Sequence, residues 1–477
     1  MGLSKKIGLL LGPILFLIVI NCPELLEGKE TANAVIGTAL WMVVWWITEA
    51  VSISVTALLP LILFPLLNVM NITNVGANYG SPIIFLFFGG FVLALALEKV
   101  NLHKRIALNI IRITGTTPNK VVLGFMIATA SLSMWISNTA STVVMLPIAM
   151  SVIGLLINDE DGFTKSDQNF ALSVMLGIAF SANAGGIATV IGTPPNSVLI
   201  GLLENEYNIE ISFLKWMTLG LPFSIILLTI CYVVLVKWMF PNKQLQFTAS
   251  RDVISQELHK LGPTSGKEKM VLAIFGVTVF LWIFRTVING IFPSLGLSDT
   301  IISMMAAVSL FAIPYNLKKG DFIIKWNDTR KLAWGILILF GGGLALANGM
   351  SSSGIVDVVS SAIATSEISI FFTAALLILL MLFMTELMSN VALVAVLAPV
   401  VAGIAIGLNI PILYLLIPVT IASSCAFMLP MATPPNAIVF ASGYIKVHQM
   451  ARVGIILNLI SVLLLVLLFQ FGIPFLF

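Results

Sequence analysis

Two short polar motifs interrupt long apolar segments of this chain. Ser137-Asn138-Thr139 lies in one segment and Ser389-Asn390 in another, with the two serines 252 residues apart. Amide and hydroxyl oxygens can bind a cation or contact a carboxylate, and polar groups at membrane depth are costly unless they are used. A single Ser-Asn pair more often joins two helices. Two copies in the same register instead indicate a binding site.

Two further motifs also occur in both halves of the chain. Phe88-Gly89-Gly90 recurs as Phe340-Gly341-Gly342, and Gly192-Thr193-Pro194-Pro195-Asn196 recurs as Ala432-Thr433-Pro434-Pro435-Asn436. Three motifs in the same order predict an internal duplication. Proline has no backbone donor, so Thr-Pro-Pro predicts a broken helix with freed carbonyl oxygens. Such carbonyls suit Na+, and the N-termini of half-helices suit an anion. The glycine pairs predict close packing or a kink.

The composition is that of a polytopic membrane protein. Hydrophobic residues make up 59% of the 477 residues and charged residues only 9%, whereas soluble domains carry about 25% charged residues. The three cysteines and three histidines are scattered along the chain. They predict no disulfide framework, metal cluster or catalytic triad. The sequence therefore argues against an intramembrane enzyme.

The apolar pattern predicts about eleven transmembrane helices and two re-entrant hairpins. A helix crosses the bilayer in about 20 residues. The hairpins are placed at 119–157 and 367–408, where polar residues and a proline interrupt the apolar run. Irregular backbone at this depth survives only where protein or a lined cavity satisfies it. The spans are placed at about 7–20, 34–48, 51–68, 82–98, 169–200, 212–238, 270–290, 299–313, 332–364, 411–445 and 453–475.

The basic residues give these spans a direction. With eleven spans, all of the 24 Lys and Arg except Lys29, Lys215 and Arg285 fall on one side, and the acidic loops at 24–30 and 204–210 fall opposite. Loops rich in Lys and Arg stay cytoplasmic. The sequence therefore predicts an integral plasma-membrane protein with a cytoplasmic N-terminus, an external C-terminus and inverted repeats.

The Ser-Asn motifs, together with Met-Leu-Pro-Met-Ala-Thr-Pro-Pro-Asn-Ala at 428–437, resemble the divalent anion/sodium symporter family. That family includes bacterial dicarboxylate transporters and animal citrate and dicarboxylate carriers. The resemblance covers nearly the whole chain. It implies an all-α elevator-type ion-transporter fold and a homodimer. It also implies scaffold helices at 1–118 and 270–366, transport-domain halves at 119–240 and 367–477, and a cytoplasmic connector at 241–269.

The resemblance also implies a role for individual residues. The first Na+ site would use Ser133, Ser137, Asn138 and Gly186. The second would use Thr385, Ser389, Asn390 and Ala432. Substrate carboxylates would lie near Asn138, Thr139, Asn390, Val391 and Thr433. Val391 departs from the pattern because it lacks the hydroxyl that Thr139 supplies in the first motif, which leaves a symmetric carboxylate clamp and the preferred substrate open.

These features predict a Na+-coupled importer of C4-dicarboxylates such as succinate, malate or fumarate. Its other partner would be membrane lipid, with no nucleic acid and no organic cofactor. The sequence leaves open a cation-independent dicarboxylate exchanger on the same fold. It also leaves open the roles of Glu49 and Glu386. Each is a candidate for a proton relay, for pairing with a backbone donor, or for facing water.

Overall fold

The chain folds into α-helices with one small two-stranded sheet. The computed structural model describes residues 2–23, 25–26, 29–115, 117–157, 164–241, 250–316, 318, 320–365 and 369–476. The predicted all-α architecture is confirmed over these residues. Glu24 and Glu27, in the predicted acidic loop at 24–30, lie outside them.

The first half of the chain contains helices α1 to α13 and one π-helical segment. In chain order they are α1 (Leu3–Asn21), α2 (Ala32–Thr48), α3 (Ile53–Thr56), α4 (Leu59–Leu66), α5 (Ile72–Tyr79), α6 (Pro82–Lys99), α7 (Leu102–Thr114), α8 (Pro118–Ser133), α9 (Asn138–Ile157), α10 (Lys165–Gly186), α11 (Pro194–Tyr207), α12 (Phe213–Val233), the π-helical segment Val234–Met239, and α13 (Ser250–Leu261).

The second half contains helices α14 to α23, two 3-10 turns, the two strands and a second π-helical segment. They are α14 (Gly266–Ile291), a 3-10 turn (Pro293–Leu295), α15 (Asp299–Ala312), β1 (Pro314–Asn316), β2 (Asp321–Phe322), a 3-10 turn (Trp326–Lys331), α16 (Trp334–Ser352), α17 (Ile355–Ala364), α18 (Ile370–Met384), α19 (Asn390–Gly407), α20 (Ile412–Ser424), α21 (Pro434–Ala441), α22 (Val447–Leu467), the π-helical segment Leu468–Gly472, and α23 (Ile473–Leu476).

The predicted duplication is confirmed helix by helix. The second arm of the first hairpin begins at Asn138 and its counterpart at Asn390, which keeps the 252-residue spacing. The helices after the two breaks begin at Pro194 and Pro434, 240 residues apart. Next, α12 and α22 each run for 21 residues before a π-helical segment. Both halves therefore carry the same sequence of elements around their polar motifs.

The predicted single span at 332–364 is wrong. α16 ends at Ser352 and α17 begins at Ile355, with Gly354 between them at φ 72°. The first half has the same arrangement, since Asn101 at φ 59° separates α6 from α7. A residue in the left-handed region ends a helix without a gap in hydrophobicity. The apolar pattern therefore could not show that a second, shorter helix follows.

The glycine pairs allow helices to pack closely, as one of the two predicted alternatives stated. A Cβ on Gly89 of α6 would meet Ser303 of α15, whose hydroxyl donates to the Leu86 carbonyl at 2.7 Å. A Cβ on Gly342 of α16 would meet the backbone of Ala57. The two long helices that carry the motif are thus fixed against neighbouring helices by backbone contact.

The predicted cytoplasmic connector at 241–269 contains the helix α13. Glu257 of this helix accepts from Lys104 of α7 at 2.8 Å and from Lys260 at 2.6 Å. These two ammonium groups hold the pKa of the Glu257 carboxyl below its usual range. α14 then begins at a capping box in which Ser265 and Glu268 each bond the other's backbone N–H. The boundary between the halves is therefore structured where it is described.

Seven helices in the described chain are long and apolar enough to cross a membrane. They are Leu3–Asn21, Ile72–Lys99, Phe213–Met239, Gly266–Ile291, Trp334–Ser352, Asn390–Gly407 and Val447–Phe475, and seven shorter apolar helices accompany them. The count of eleven spans stays a prediction. So does the re-entrant course of the hairpins, whose arms are separate helices joined by residues 134–137 and 385–389.

Candidate functional site

The tip of the first hairpin contacts the broken helix that follows it. Ser133 is the last residue of α8, and Asn138 is the first residue of α9. The Ser133 hydroxyl donates to the carbonyl of Ala182 in α10 at 2.7 Å and lies 2.5 Å from the side-chain amide of Asn138. These contacts bring two of the predicted cation ligands to the end of α10.

Three oxygens converge on the side-chain amide of Asn138. The amide nitrogen donates to the Ala182 carbonyl at 3.1 Å, to the Gly192 carbonyl at 3.2 Å and to the Ser133 hydroxyl at 2.5 Å. Carbonyl oxygens that face one another repel unless a proton or a cation lies between them. The amide thus closes this group by itself, and turned over it would offer its oxygen to a cation as a fourth ligand.

Two glycines make room for this group. A Cβ on Gly186 would lie 2.5 Å from the Asn138 side-chain amide and 3.1 Å from the Gly192 carbonyl. A Cβ on Gly192 would lie 2.5 Å from the Gly186 carbonyl and 3.0 Å from that of Ser133. The sequence predicted Gly186 in this site but missed Gly192. The signal was present, because Gly192 opens the repeated Thr-Pro-Pro motif.

The second half repeats the first of these contacts. The Thr385 hydroxyl donates to the carbonyl of Ser423 at 2.7 Å, as Ser133 does to Ala182. Thr385 is fully buried, whereas Asn390 at the start of α19 is half-buried. Of the other predicted ligands in this half, Ser389 precedes α19 and Ala432 lies buried just before α21.

The two hairpin tips differ at the positions predicted to meet substrate. Ser137 and Thr139 are exposed, and the Ser137 hydroxyl accepts from the backbone N–H of Ala140 at 3.1 Å. Val391, the counterpart of Thr139, is only 9% exposed. One tip therefore presents a hydroxyl to open space and the other presents an almost buried aliphatic side chain.

Thr433 lies at the second helix break, where it caps α21. Its hydroxyl accepts from the backbone N–H of Asn436 at 3.4 Å and from the amide of Asn183 at 3.1 Å. The hydroxyl proton is still available to a ligand. Thr433 is 4% exposed, so any such ligand would have to enter the break itself.

The asparagine that follows each Pro-Pro holds the broken segment together. Asn196 and Asn436 are fully buried. In each half the amide donates to two equivalent backbone carbonyls, those of Gly186 and Thr189 in the first half and those of Ala426 and Leu429 in the second. Some of the carbonyl oxygens that were predicted to be free therefore accept a hydrogen bond within the protein. The asparagine after each Pro-Pro thus has a structural role.

Asn183 connects the two halves, and the sequence analysis missed it. Its amide, 1% exposed on α10, donates at 3.1 Å both to the Ala426 carbonyl and to the Thr433 hydroxyl. Its oxygen has no hydrogen-bond partner among the described residues. A single asparagine in an apolar helix was the available signal, but its partners lie about 240 residues away and no spacing rule connects them.

Glu386 is buried at the tip of the second hairpin. Its carboxylate accepts from three consecutive backbone N–H groups, of Phe427 at 2.8 Å, Met428 at 2.9 Å and Leu429 at 3.0 Å. The amide of Asn458 in α22 donates a fourth bond at 2.7 Å. Among the open alternatives for this residue, the pairing with backbone donors is therefore confirmed.

Glu49 lies at the surface. It follows α2 at φ 46°, and its side chain is 66% exposed, 3.3 Å from the ammonium of Lys5. An ion pair this exposed contributes at most about 1 kcal/mol to stability. Of the alternatives that the sequence left open for Glu49, facing water is the one confirmed.

Comparisons with known proteins match the whole chain to one family. The family model described as the sodium:sulfate symporter transmembrane region matches residues 4–476. The chain is 40% identical over 481 residues to the sodium-dependent dicarboxylate transporter SdcS of Staphylococcus saprophyticus, which covers 99% of this chain and 92% of that protein. It is 39% identical over 478 residues to SdcS of Staphylococcus aureus strain USA300, with the same coverage.

Two solved structures share the fold at low identity. The YdaH transporter of Alcanivorax borkumensis superposes with a TM-score of 0.55 at 12% identity, over 84% of this chain and 88% of that one. MtrF of Neisseria gonorrhoeae superposes with a TM-score of 0.52 at 13% identity, over 83% and 82%. At this identity the likeness shows the fold alone, which is that of membrane transporters.

Proposed function

Because the chain belongs to the sodium:sulfate symporter family, we propose that it is a secondary transporter that imports C4-dicarboxylates such as succinate, malate and fumarate with Na+. The relatives named sodium-dependent dicarboxylate transporter support both the substrate class and the coupling ion. The observation that carries the proposal is the convergence of the Ser133 hydroxyl and the Ala182 and Gly192 carbonyls on the Asn138 amide at the first helix break. Unwound carbonyls of this kind coordinate Na+ in transporters.

The two cation sites would lie where each hairpin tip meets its broken helix. In the first, the hydroxyl of Ser133, the amide oxygen of Asn138 and the two carbonyls would surround the ion, with Gly186 leaving the space and Ser137 nearby. The equivalent groups of the second half are Thr385, Ser389, Asn390 and the backbone of Ala432. The Thr385–Ser423 bond, which matches that of Ser133, supports this equivalence.

The dicarboxylate would lie between the two tips. The first-turn N–H groups of α9 and α19 have no acceptor further back in their own helices, and helix N-termini favour an anion. Asn138 and Asn390 begin these helices, and Thr139 offers an exposed hydroxyl. Thr433 would contact the substrate from the second break, and Val391 would line the cavity without donating a bond. Because one tip offers a hydroxyl and the other an aliphatic side chain, the two tips could distinguish among dicarboxylates.

We extend the proposal to an elevator mechanism in a homodimer. Residues 1–118 and 270–366 would form the scaffold, and 119–240 and 367–477 the moving transport domain. Polar contacts between these parts include Arg285 of α14 with Glu210 at 2.8 Å, the Phe213 N–H with Asp299 at 2.7 Å, and the Asn205 amide with Ser81 at 3.2 Å. An elevator movement would break these contacts.

The membrane potential sets how many cations such import needs. Moving one charge through 100 mV costs or yields about 2.3 kcal/mol, so a dianion that enters a negative interior costs about 4.6 kcal/mol. Two Na+ would cancel this cost, and a third would make uptake electrically driven. Two sites are proposed here, so uptake with these two ions alone would be electroneutral.

Uptake by the purified protein in liposomes tests the proposal. Labelled succinate should accumulate when the external buffer contains Na+ and not when choline replaces it. Unlabelled malate and fumarate should compete, and a membrane potential should not change the rate of a two-ion carrier. Counterflow of succinate that persists in choline buffer would contradict Na+ coupling and identify the cation-independent exchanger instead.

Single cysteines test the proposed orientation. Lys260 is 70% exposed in α13 and Glu210 is 67% exposed between α11 and α12, so a cysteine at either position should react readily. In a background without the three native cysteines, an impermeant maleimide applied to intact cells should label position 210 only. Detergent should then make position 260 reactive. Labelling of both positions in intact cells would contradict the eleven-span topology.

A further inference from the structure

The two halves tie the same pair of positions together with different chemistry. In the first half, the Thr189 hydroxyl donates to the carbonyl of Met134 at 2.6 Å. Glu386 lies 252 residues after Met134, and Leu429 lies 240 residues after Thr189. In the second half, the Leu429 N–H donates to the Glu386 carboxylate at 3.0 Å. A side chain of the broken segment makes the first bond, and a side chain of the hairpin tip makes the second. We call the Thr189–Met134 bond the first tether and the Glu386–Leu429 bond the second tether.

Each of these tethers continues to the residue at the end of the break. The N–H of Gly192 donates to the Thr189 hydroxyl at 3.0 Å. Its counterpart Ala432 donates its N–H to the Leu429 carbonyl at 3.2 Å. Gly192 supplies a carbonyl to the oxygen group around Asn138. One further hydrogen bond therefore separates each tether from a backbone group of its proposed cation site.

The second tether is the more extensive one. Besides Leu429, the Glu386 carboxylate accepts from the N–H groups of Phe427 and Met428 and from the amide of Asn458. Three peptide units in succession are thereby fixed with their N–H groups toward one side chain. Glu386 is 3% exposed, and charge-assisted bonds of this kind are stronger than neutral ones. The backbone conformation of the segment that follows α20 thus depends on this carboxylate.

We propose that Thr189 and Glu386 are positioning residues, each of which sets the Na+ affinity of the cation site in its own half. Neither needs to touch the ion. Each holds the carbonyls of the broken helix at a fixed distance from the hairpin tip, where Asn138 or Asn390 lies. Loss of a group that orients the ligands of an ion typically costs about 10- to 100-fold in affinity. This inference rests on the proposed Na+-coupled transport.

Thr189→Val disrupts the first tether and Glu386→Gln the second, and each new side chain has nearly the shape of the one it replaces. Valine keeps the volume of threonine and removes the donor to Met134. The amide of glutamine keeps one acceptor oxygen but points donors at backbone donors. Each variant should raise the Na+ concentration for half-maximal succinate uptake about 10- to 100-fold. At saturating Na+, the KM for succinate should return to that of the unmodified protein.

Two exposed residues provide matched controls. Thr218→Val removes an exposed threonine hydroxyl that donates to the carbonyl of Lys215 at 2.7 Å, and Glu49→Gln removes an exposed carboxylate. Both should leave the Na+ titration unchanged. A second readout is thermal unfolding in detergent, where Na+ should raise the Tm of the unmodified protein because it binds the folded state. Each tether variant should need a correspondingly higher Na+ concentration for the same rise.

The outcomes separate this inference from the proposed function. Na+-independent uptake by the unmodified protein would overturn both. If uptake depends on Na+ but the titrations of both variants coincide with that of the unmodified protein, only the inference is overturned. A lower maximal rate with an unchanged Na+ requirement would likewise overturn it, since that is the result of a purely structural role. If Glu386→Gln does not fold, Thr189→Val carries the decision, because it removes only two neutral hydrogen bonds, the one to Met134 and the one from Gly192.

Discussion

Asn138→Ala and Asn390→Ala should each abolish Na+-driven uptake while leaving a folded protein in the membrane. The Asn138 amide lies among three converging oxygens at the proposed cation site and begins α9, where an anion would be bound. It would therefore contact both the cation and a substrate carboxylate. A bond to a charged group is worth about 1.5–3 kcal/mol. Losing two such contacts lowers uptake roughly 100-fold or more at a fixed substrate concentration.

The control for these variants is another asparagine outside the site. Asn21 ends α1, and its amide donates to the Leu17 carbonyl at 2.8 Å near the surface. Asn21→Ala should transport at the rate of the unmodified protein. All three variants should elute as one symmetric peak in size-exclusion chromatography, which establishes folding independently of transport. Uptake at the unmodified rate in purified Asn138→Ala and Asn390→Ala would remove both residues from the site.

The repeated motifs predicted the positions of the helix breaks because the local chemistry determines them. Pro194 and Pro434 each stand at the first helical position, where a missing N–H costs nothing. The Ser-Asn pairs lie where α9 and α19 begin. Serine favours such a position, and the Ser137 hydroxyl accepts from the Ala140 N–H. Such features act within a few residues. They could be read from the sequence without knowing the fold.

The amphipathic helices after the two long glycine-containing helices were not predicted, because backbone conformation separates them rather than composition. Residues 355–364 are apolar enough to continue the preceding span, and only the left-handed Gly354 ends it. At Asn101 a left-handed residue likewise separates two helices, and there the following helix begins in a basic stretch that resembled a loop. Hydropathy measures burial, whereas these two boundaries depend on one φ angle each.

The partners of the buried polar residues were also beyond the sequence. The donors to Glu386 come from 41 to 72 residues away, and Asn183 reaches the other half of the chain. These bonds form because the broken helices pack against the hairpin tips and against elements of the other half. No spacing rule relates such residues. The sequence therefore left three possible roles open for Glu386, and the tertiary structure shows the pairing with backbone donors.

Gly186→Ala should impair transport as strongly as loss of the asparagine, although it removes no ligand. The new Cβ would lie 2.5 Å from the Asn138 side-chain amide and 3.1 Å from the Gly192 carbonyl. The amide must therefore move away from the ion, which loses about 1.5–3 kcal/mol of binding. This predicts a roughly 10- to 100-fold higher Na+ requirement, measured as the Na+ concentration for half-maximal succinate uptake.

The other half of the chain shows why this effect belongs to the first site. The counterpart of Gly186 is Ala426, so the second break already accommodates a Cβ at this position. Gly276→Ala is the matched control, because a Cβ there meets no heavy atom within 4 Å. It should leave the Na+ titration unchanged. An unchanged titration in Gly186→Ala would mean that the Asn138 amide oxygen is not a cation ligand. Excess Na+ that restores uptake in Gly186→Ala would show instead that the methyl group acts on ion binding and not on folding.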